Sequence, residues 1–371
     1  MKKKIGIINH WMVNNYGALF LAYALERKIR ELGYDVESIT WLPDEVKKPW
    51  KLSMVRKIGF FTYVLRLGYF MVYILPREKS FKHFRSLMQT SEAEYCDDTL
   101  YKITDLYDKI VIGGDQLWNC KVNYFNRNNF LPFVKQKEKK VVYAASLSQD
   151  YIREDIKDDF KRLVEDFSYV TVREVRAKEL IEENTNIKVK RVSDSAFLLD
   201  KEEWIQLAEL PLEENYIFVY QVQSDKLLID FVEQLAQKEG LNIVYCPFPL
   251  KKQIRCKRKP YLSPEKWLGY MCKAKYVVTD AFHGAVFSLI FNREFFVEIS
   301  EYGKDTGSRI TNILEIYNLQ GRLLTPENKD KILNEKPIDY NIVNKQIKRE
   351  QKEAEETIIQ ILENKFGGGA K

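Results

Sequence analysis

The segment Ile5-Gly6-Ile7-Ile8-Asn9 constrains the fold more than any other. A short continuous apolar run of this kind is the pattern of a parallel strand buried on both faces. A polar loop, Asn14-Asn15-Tyr16-Gly17, follows it. Leu19, Tyr23, Leu25, Ile29 and Leu32 then form a helical stripe that stops at Gly33. Glycine just past the last periodic residue ends helices well, because it takes left-handed backbone angles without strain. Val36–Trp41 reads as the next strand. The chain therefore opens with a βαβ unit, which buries its apolar faces by joining a parallel sheet covered with helices.

The alternation continues. Strands are predicted at Lys109–Ile112, Lys140–Ala144, Tyr169–Val172 and Val189–Val192, with helices at Asp155–Phe167 and Glu174–Glu183. After Asp200 it restarts, with strands at Ile217–Val222, Leu241–Cys246, Tyr276–Thr279 and Phe295–Ile299. Helices at Lys226–Lys238, Pro264–Lys273, His283–Phe291 and Ser308–Tyr317 lie between or after them. A chain of 371 residues is long enough for two domains. The expected fold class is α/β, with two Rossmann-like domains facing a cleft. The first spans residues 1–195, the second 196–335, and residues 336–371 form a C-terminal helix (Asn341–Glu363) and a mobile Gly-Gly-Gly-Ala-Lys tail.

Composition narrows the function classes. A formal charge of +6 is too dilute for nucleic acid, which needs a concentrated basic face, but it suits anionic small substrates or an anionic membrane surface. The five cysteines are odd in number and scattered, without CxxC spacing, so neither zinc nor a disulfide framework is indicated. The basic Met-Lys-Lys-Lys opening is followed only by a strand-length apolar run, not a signal-peptide core, and a reducing cytoplasm is the expected compartment. One segment breaks the alternation. Ile58–Leu75 is apolar and aromatic, is interrupted by Arg66 and stopped by Pro76, and has lysines and arginines on both sides. Arg66 argues against a spanning helix. The segment reads either as a peripheral membrane contact or as an interface helix.

The densest chemical signal is Val277-Val278-Thr279-Asp280-Ala281-Phe282-His283-Gly284. An apolar strand ends there and a helix begins, where open α/β sheets bind ligands and where free helix N–H groups attract phosphate or carboxylate. His283 at this turn can exchange a proton or donate to an anion, and it can also merely cap the helix. Asn14, Asn15, Tyr16 and Gly17 hold the equivalent place in the first domain. Their spacing is not GxGxxG, so dinucleotide binding is not supported, and the asparagines can cap the helix or bond sugar hydroxyls. Gly113-Gly114-Asp115 follows a strand, and Asp115 can orient a hydroxyl, act as base, or simply sit in a turn. Arg173 and Arg309 suit carboxylate or phosphate through paired donors, and each alone is also an ordinary surface ion-pair residue. Six basic residues crowd Lys251–Lys259, a solvated loop or a phosphate contact. No HExxH pattern is present, and no metal site is expected.

Taken in order, Asn15-Tyr16-Gly17-Ala18, Gly113-Gly114-Asp115, Val172-Arg173-Glu174, Ser193-Asp194, Asp280-Ala281-Phe282-His283-Gly284 and Ser308-Arg309 resemble the polysaccharide pyruvyl transferase family. The resemblance runs from Ile5 to about Tyr317. It implies a GT-B-like fold and transfer of the enolpyruvyl unit of phosphoenolpyruvate to a hexose as a cyclic ketal, often 4,6-linked. A polyprenyl-diphosphate-linked acceptor would account for the aromatic segment 58–75 and the basic loop, and no cofactor is expected. By resemblance His283 is the catalytic acid and Arg173 binds the donor; the chemistry of such a transfer adds Asp115 or Asp280 as a carboxylate acting on the acceptor. Where the family often has arginine two residues before this histidine, this chain has Ala281; Arg309, Lys304 or the basic loop are the candidates to replace it. Two rivals remain: a nucleotide-sugar glycosyltransferase of the same architecture, and a non-catalytic partner in polysaccharide assembly.

Overall fold

The computed structural model describes residues 2–43, 64, 67–68, 70–120, 125–223, 226–247, 256–259, 262–299 and 308–365. The first unit contains β1 (Lys4–Ile8), α1 (Tyr16–Glu31), β2 (Asp35–Trp41), α2 (Leu75–Arg85), β3 (Thr90–Tyr95), β4 (Lys109–Gly113) and β5 (Lys140–Ala145). It closes with α3 (Lys157–Glu165), β6 (Tyr169–Val172), α4 (Val175–Asn184) and β7 (Lys190–Arg191). Its strands form one sheet in the order β3-β2-β1-β4-β5-β6-β7, every described pairing parallel.

The second unit contains α5 (Lys201–Gln206), β8 (Tyr216–Gln221), α6 (Lys226–Glu239), β9 (Asn242–Pro247), β10 (Lys257–Arg258), α7 (Pro264–Lys273), β11 (Tyr276–Thr279) and α8 (Phe282–Ile290). After these come β12 (Glu294–Glu298), α9 (Ser308–Ile316), β13 (Leu323–Leu324), α10 (Lys329–Ile332) and α11 (Tyr340–Glu363). The sheet order β10-β9-β8-β11-β12-β13 is again parallel. Each sheet reverses its winding once, between β1 and β4 in the first and between β8 and β11 in the second. Crevices outside the carboxyl ends of strands at such a switch point are where open α/β sheets hold ligands.

Helix α1 explains why the two units dock. Residues Tyr16–Leu25 are apolar without interruption, and an all-round apolar helix must be covered on every side. The inner side of α1 covers its own sheet, where Leu25 packs with Ile5, Ile7 and Val111. Its outer side enters an aromatic cluster with the second unit: Tyr16 stacks on Trp267 at 5.3 Å, and Phe20 meets Phe287 at 5.1 Å and Trp204 at 5.5 Å. Helix α11 ties the units a second time. Val343 and Ile347 join that cluster, while Ile358, Ile361 and Leu362 pack with Ile5, Ile7 and Val36 of the first unit.

The apolar segment expected at residues 58–75 lies mostly outside the described residues. In its described part, Phe70–Ile74 forms a π-helical turn that runs into α2, and Val64, Leu67, Met71 and Val72 are exposed. Pro76 does not stop this helix. It is the second residue of α2, which continues to Arg85. No helix among the described residues is long and apolar enough to cross a membrane.

Candidate active site

The two switch points face each other across one cavity of about 310 Å³. His10, Asn15, Gly17, Ala18, Asp115 and Gln116 line it from the first unit, and Tyr220, Val222, Asp280–His283, Ile299 and Arg309 from the second. The first turns of α1, α8 and α9 all open into this space. Helix N-termini carry partial positive charge and unpaired N–H groups, so three of them in one cleft favour an anion.

His283 stands in the first turn of α8, and its position depends on Gly17 of the other unit. A Cβ placed on Gly17 would lie 2.0 Å from His283 Nδ1, so only glycine lets α1 approach the ring this closely. The opposite nitrogen, Nε2, is 3.7 Å from Asp194 Oδ2, buried, and without a hydrogen-bond partner among the described residues. Gly284 serves packing, since a Cβ there would meet Thr279 Oγ1 at 2.4 Å.

Behind the imidazole lies a buried ionic network. Arg173 Nη1 donates to Asp194 Oδ2 at 2.6 Å and to the Gly114 carbonyl at 3.1 Å, and its Nε donates to Glu174 Oε1 at 3.0 Å. Burial alone would push the Asp194 carboxyl up, but Arg173, His283 and the Ala196 N–H together outweigh it and hold the group below the usual carboxylate range. Arg309 approaches from α9. With the Gln116 amide turned so that its oxygen faces the guanidinium, that oxygen accepts from Nη1 and Nη2 at 2.5 and 2.9 Å. Burial, and then repulsion from Arg173, pull the Arg309 guanidinium down to about 10. Both arginines sit against the Phe282 ring, at 4.9 and 5.5 Å from its centroid, and His283 lies 5.1 Å from the same ring. Arg173 Nη2 and Arg309 Nε are buried and unpaired among the described residues. Three nitrogens without partners among the described residues thus lie around Phe282; His283 and Arg309 line the cavity, and Arg173 stands behind them, so the wall suits an acceptor-rich ligand.

The remaining residues expected from the sequence have other settings. Asn15 lines the cavity but caps α1, its side chain accepting from Ala18 N at 3.2 Å. Asn14 turns away to Glu78 and Arg85 on α2. Tyr16 is buried between the units, donating to the Leu262 carbonyl at 2.7 Å. Gly113 lets Leu25 of α1 pack on β4, and Gly114 adopts a φ of +60° beside Ser195. Both Asp280 oxygens accept backbone N–H groups, from Val222 and Gln223, at 2.6 Å each; this staples β11 to the loop after β8. Lys304 and residues 251–255 of the basic loop lie outside the described residues. Sequence reasoning missed His10 and Gln116 as cavity residues. The rule that found His283 would have found them, since both follow strands at the carboxyl edge.

No group of three or more metal-capable side chains is present among the described residues. Two parallel Rossmann-like sheets with a site at their facing switch points define a GT-B-like α/β fold. The same fold is seen in UDP-GlcNAc 2-epimerase from Methanocaldococcus jannaschii (TM-score 0.54, 12% identity, covering 98% of this chain and 100% of that one). A putative UDP-N-acetylglucosamine 2-epimerase from Listeria monocytogenes is similar too (TM-score 0.56, 10% identity, 100% and 98% covered). No curated protein is significantly similar in sequence. The polysaccharide pyruvyl transferase family matches residues 15–298, and the chain belongs to that family. It is thus a transferase of polysaccharide biosynthesis, with a pyruvyl donor and a sugar acceptor.

Proposed function

We propose that the chain transfers the enolpyruvyl carbons of phosphoenolpyruvate to a hexose, closing a cyclic ketal across two hydroxyls, with 4,6 the favoured linkage. The observation that carries this reading is the trio of unpaired nitrogens around Phe282, on His283, Arg173 and Arg309. Phosphoenolpyruvate brings a phosphate and a carboxylate on a small carbon frame, which matches two guanidinium groups and three helix starts. Arg309 fills the electrostatic place left by Ala281.

In this reading protonated His283 delivers its proton to the methylene carbon C3 of the donor, with Asp194 stabilising the imidazolium. The π electrons form the new C3–H bond and leave a cation-like C2. A sugar hydroxyl adds there, the C2–O bond to phosphate breaks with its electron pair going to phosphate, and a second hydroxyl closes the ring. Arg173 and Arg309 neutralise charge on the departing group. Asp280 holds the loop after β8 in place. No cofactor enters the scheme.

The exposed Val64, Leu67, Met71 and Val72, near Arg77 and Lys79, favour an acceptor presented at the cytoplasmic membrane face, such as a polyprenyl-diphosphate-linked sugar. The test is to incubate the protein with phosphoenolpyruvate and a panel of lipid-linked hexoses, following phosphate release and the mass of a pyruvate ketal. His283→Ala should abolish both while leaving the fold intact, and near-normal turnover would sink the assignment. Turnover of a nucleotide sugar without response to phosphoenolpyruvate would point instead to a glycosyltransferase; binding without turnover would point to a non-catalytic partner.

A further inference from the structure

The cleft holds a second histidine–aspartate pair, on the wall opposite His283. His10 follows β1 and Asp115 follows β4, the two strands that flank the first unit's switch point. His10 Nδ1 lies 3.4 Å from Asp115 Oδ2, and Asp115 Oδ1 accepts from Gln116 N at 2.7 Å. Both carboxylate oxygens are thus engaged. His10 Nε2 has no protein partner among the described residues, and the imidazole lines the cavity. A carboxylate holding one imidazole nitrogen fixes the tautomer and leaves the other nitrogen a proton acceptor.

We infer that His10, oriented by Asp115, is the general base that takes the proton from the attacking acceptor hydroxyl. This rests on the pyruvyl-transfer reading above, and it fits the proton balance of that reaction. Ketal formation removes two hydroxyl protons, returns one to carbon at C3 and sends one out with phosphate. His283 must enter protonated to serve C3, and a second group that enters neutral on the first unit's wall can receive the hydroxyl proton there. Asp115 is the poorer candidate. Burial opposes its ionisation, but the His10 contact, the Arg173 charge and the Gln116 N–H more than reverse this and hold its carboxyl far below the usual range. A carboxylate stabilised that strongly accepts a proton poorly and serves better to steady an imidazolium. Asp115 is therefore a positioning residue. The arrangement puts the donor's acid on the second unit and the acceptor's base on the first.

The test uses the full chain with phosphoenolpyruvate and the best acceptor of the hexose panel. His10→Gln keeps a side-chain amide that can bond Asp115 but cannot take up a proton. Its kcat should fall roughly 10²–10⁴-fold while KM for phosphoenolpyruvate stays within about threefold, the usual span for losing a general base. His10→Ala should show the same loss, and added imidazole should restore part of its rate in proportion to concentration. Normal kcat in His10→Gln would overturn the inference. So would loss of phosphoenolpyruvate binding in both variants, or failure of imidazole to raise the His10→Ala rate. A parent protein that releases no phosphate from phosphoenolpyruvate with any acceptor would overturn the pyruvyl-transfer reading, and the inference with it.

Discussion

Gly17→Ala is the most direct probe of the site, because it changes no chemical group assigned to the reaction. The added Cβ would stand 2.0 Å from His283 Nδ1, 2.6 Å from Cε1 and 2.6 Å from Cγ. An ordinary contact is about 3.5 Å, so the ring and α1 must part by about 1.5 Å. Misplacing a reacting group by about 1 Å can cost ~10²-fold, so kcat for phosphate release should fall at least that far, about 2.7 kcal/mol of transition-state stabilisation. The fold should survive. Alanine is favoured over glycine in a helix by about 0.8–1.0 kcal/mol, which partly offsets an overpacking cost of roughly 1–3 kcal/mol. Circular dichroism should therefore show a native spectrum with Tm lowered by a few degrees at most. The assay is phosphate release from phosphoenolpyruvate with the accepted sugar, measured on Gly17→Ala, His283→Ala and the double variant. If the clash acts through His283, the double variant should lose no more than His283→Ala alone. Activity of Gly17→Ala within about threefold of the parent would refute the coupling between α1 and the imidazole.

Two further outcomes follow from the charges. Arg309→Ala should lower kcat/KM for phosphoenolpyruvate by roughly 10–100-fold, the worth of about 1.5–3 kcal/mol for a hydrogen bond to a charged group. Its Tm should hold or rise, because the variant relieves burial and repulsion from Arg173; a large fall in Tm or an unchanged kcat/KM would contradict this role. Glu26, buried in α1 and 3.4 Å from Arg30, is pushed by burial from an ordinary 4.5 up to about 7 despite the arginines nearby. Because the folded-state value is raised, its stabilising effect is full below about pH 4.5 and is lost as pH rises through about 7. Across that window the parent should lose about 3 kcal/mol relative to Glu26→Gln in urea unfolding, with no further divergence above it.

The sequence made the buried elements legible and the polar ones not. Ile5–Asn9 and Tyr276–Thr279 announce themselves because a strand covered on both faces must be largely apolar, and the structure places strands on them. Gly33, at φ +94°, stands just past the end of α1 as its position predicts. Strand β3 escaped notice, since Thr90-Ser91-Glu92-Ala93-Glu94-Tyr95 is an edge strand whose middle residues are exposed and so carries no apolar run. At the site, strand-end placement was enough to pick out His283, Asp115 and Asp280. It could not say that both Asp280 oxygens are spent on backbone N–H groups, or that Tyr16 and Asn14 face away from the cavity. Those assignments depend on partners 57 to 246 positions away, such as Gln223 for Asp280 and Leu262 for Tyr16. Arg173 was legible as a charge but not as the centre of a network, because Asp194 and Gly114 reach it only through the sheet.

The cleft is therefore a product of docking rather than a property of either unit. His283 belongs to the second unit, yet the carboxylate beside it, Asp194, and the glycine that admits it, Gly17, belong to the first. Arg309 likewise reaches across to Gln116. A separated second unit would keep its histidine and lose the carboxylate beside it. The energy that prevents separation lies in apolar contacts next to the site, where Tyr16 and Phe20 of α1 meet Trp267 and Phe287, and in α11, which is packed against both sheets. The uninterrupted apolar stretch Tyr16–Leu25 thus has two consequences from one physical cause. It buries α1 on every side, and by doing so it brings Gly17 against His283.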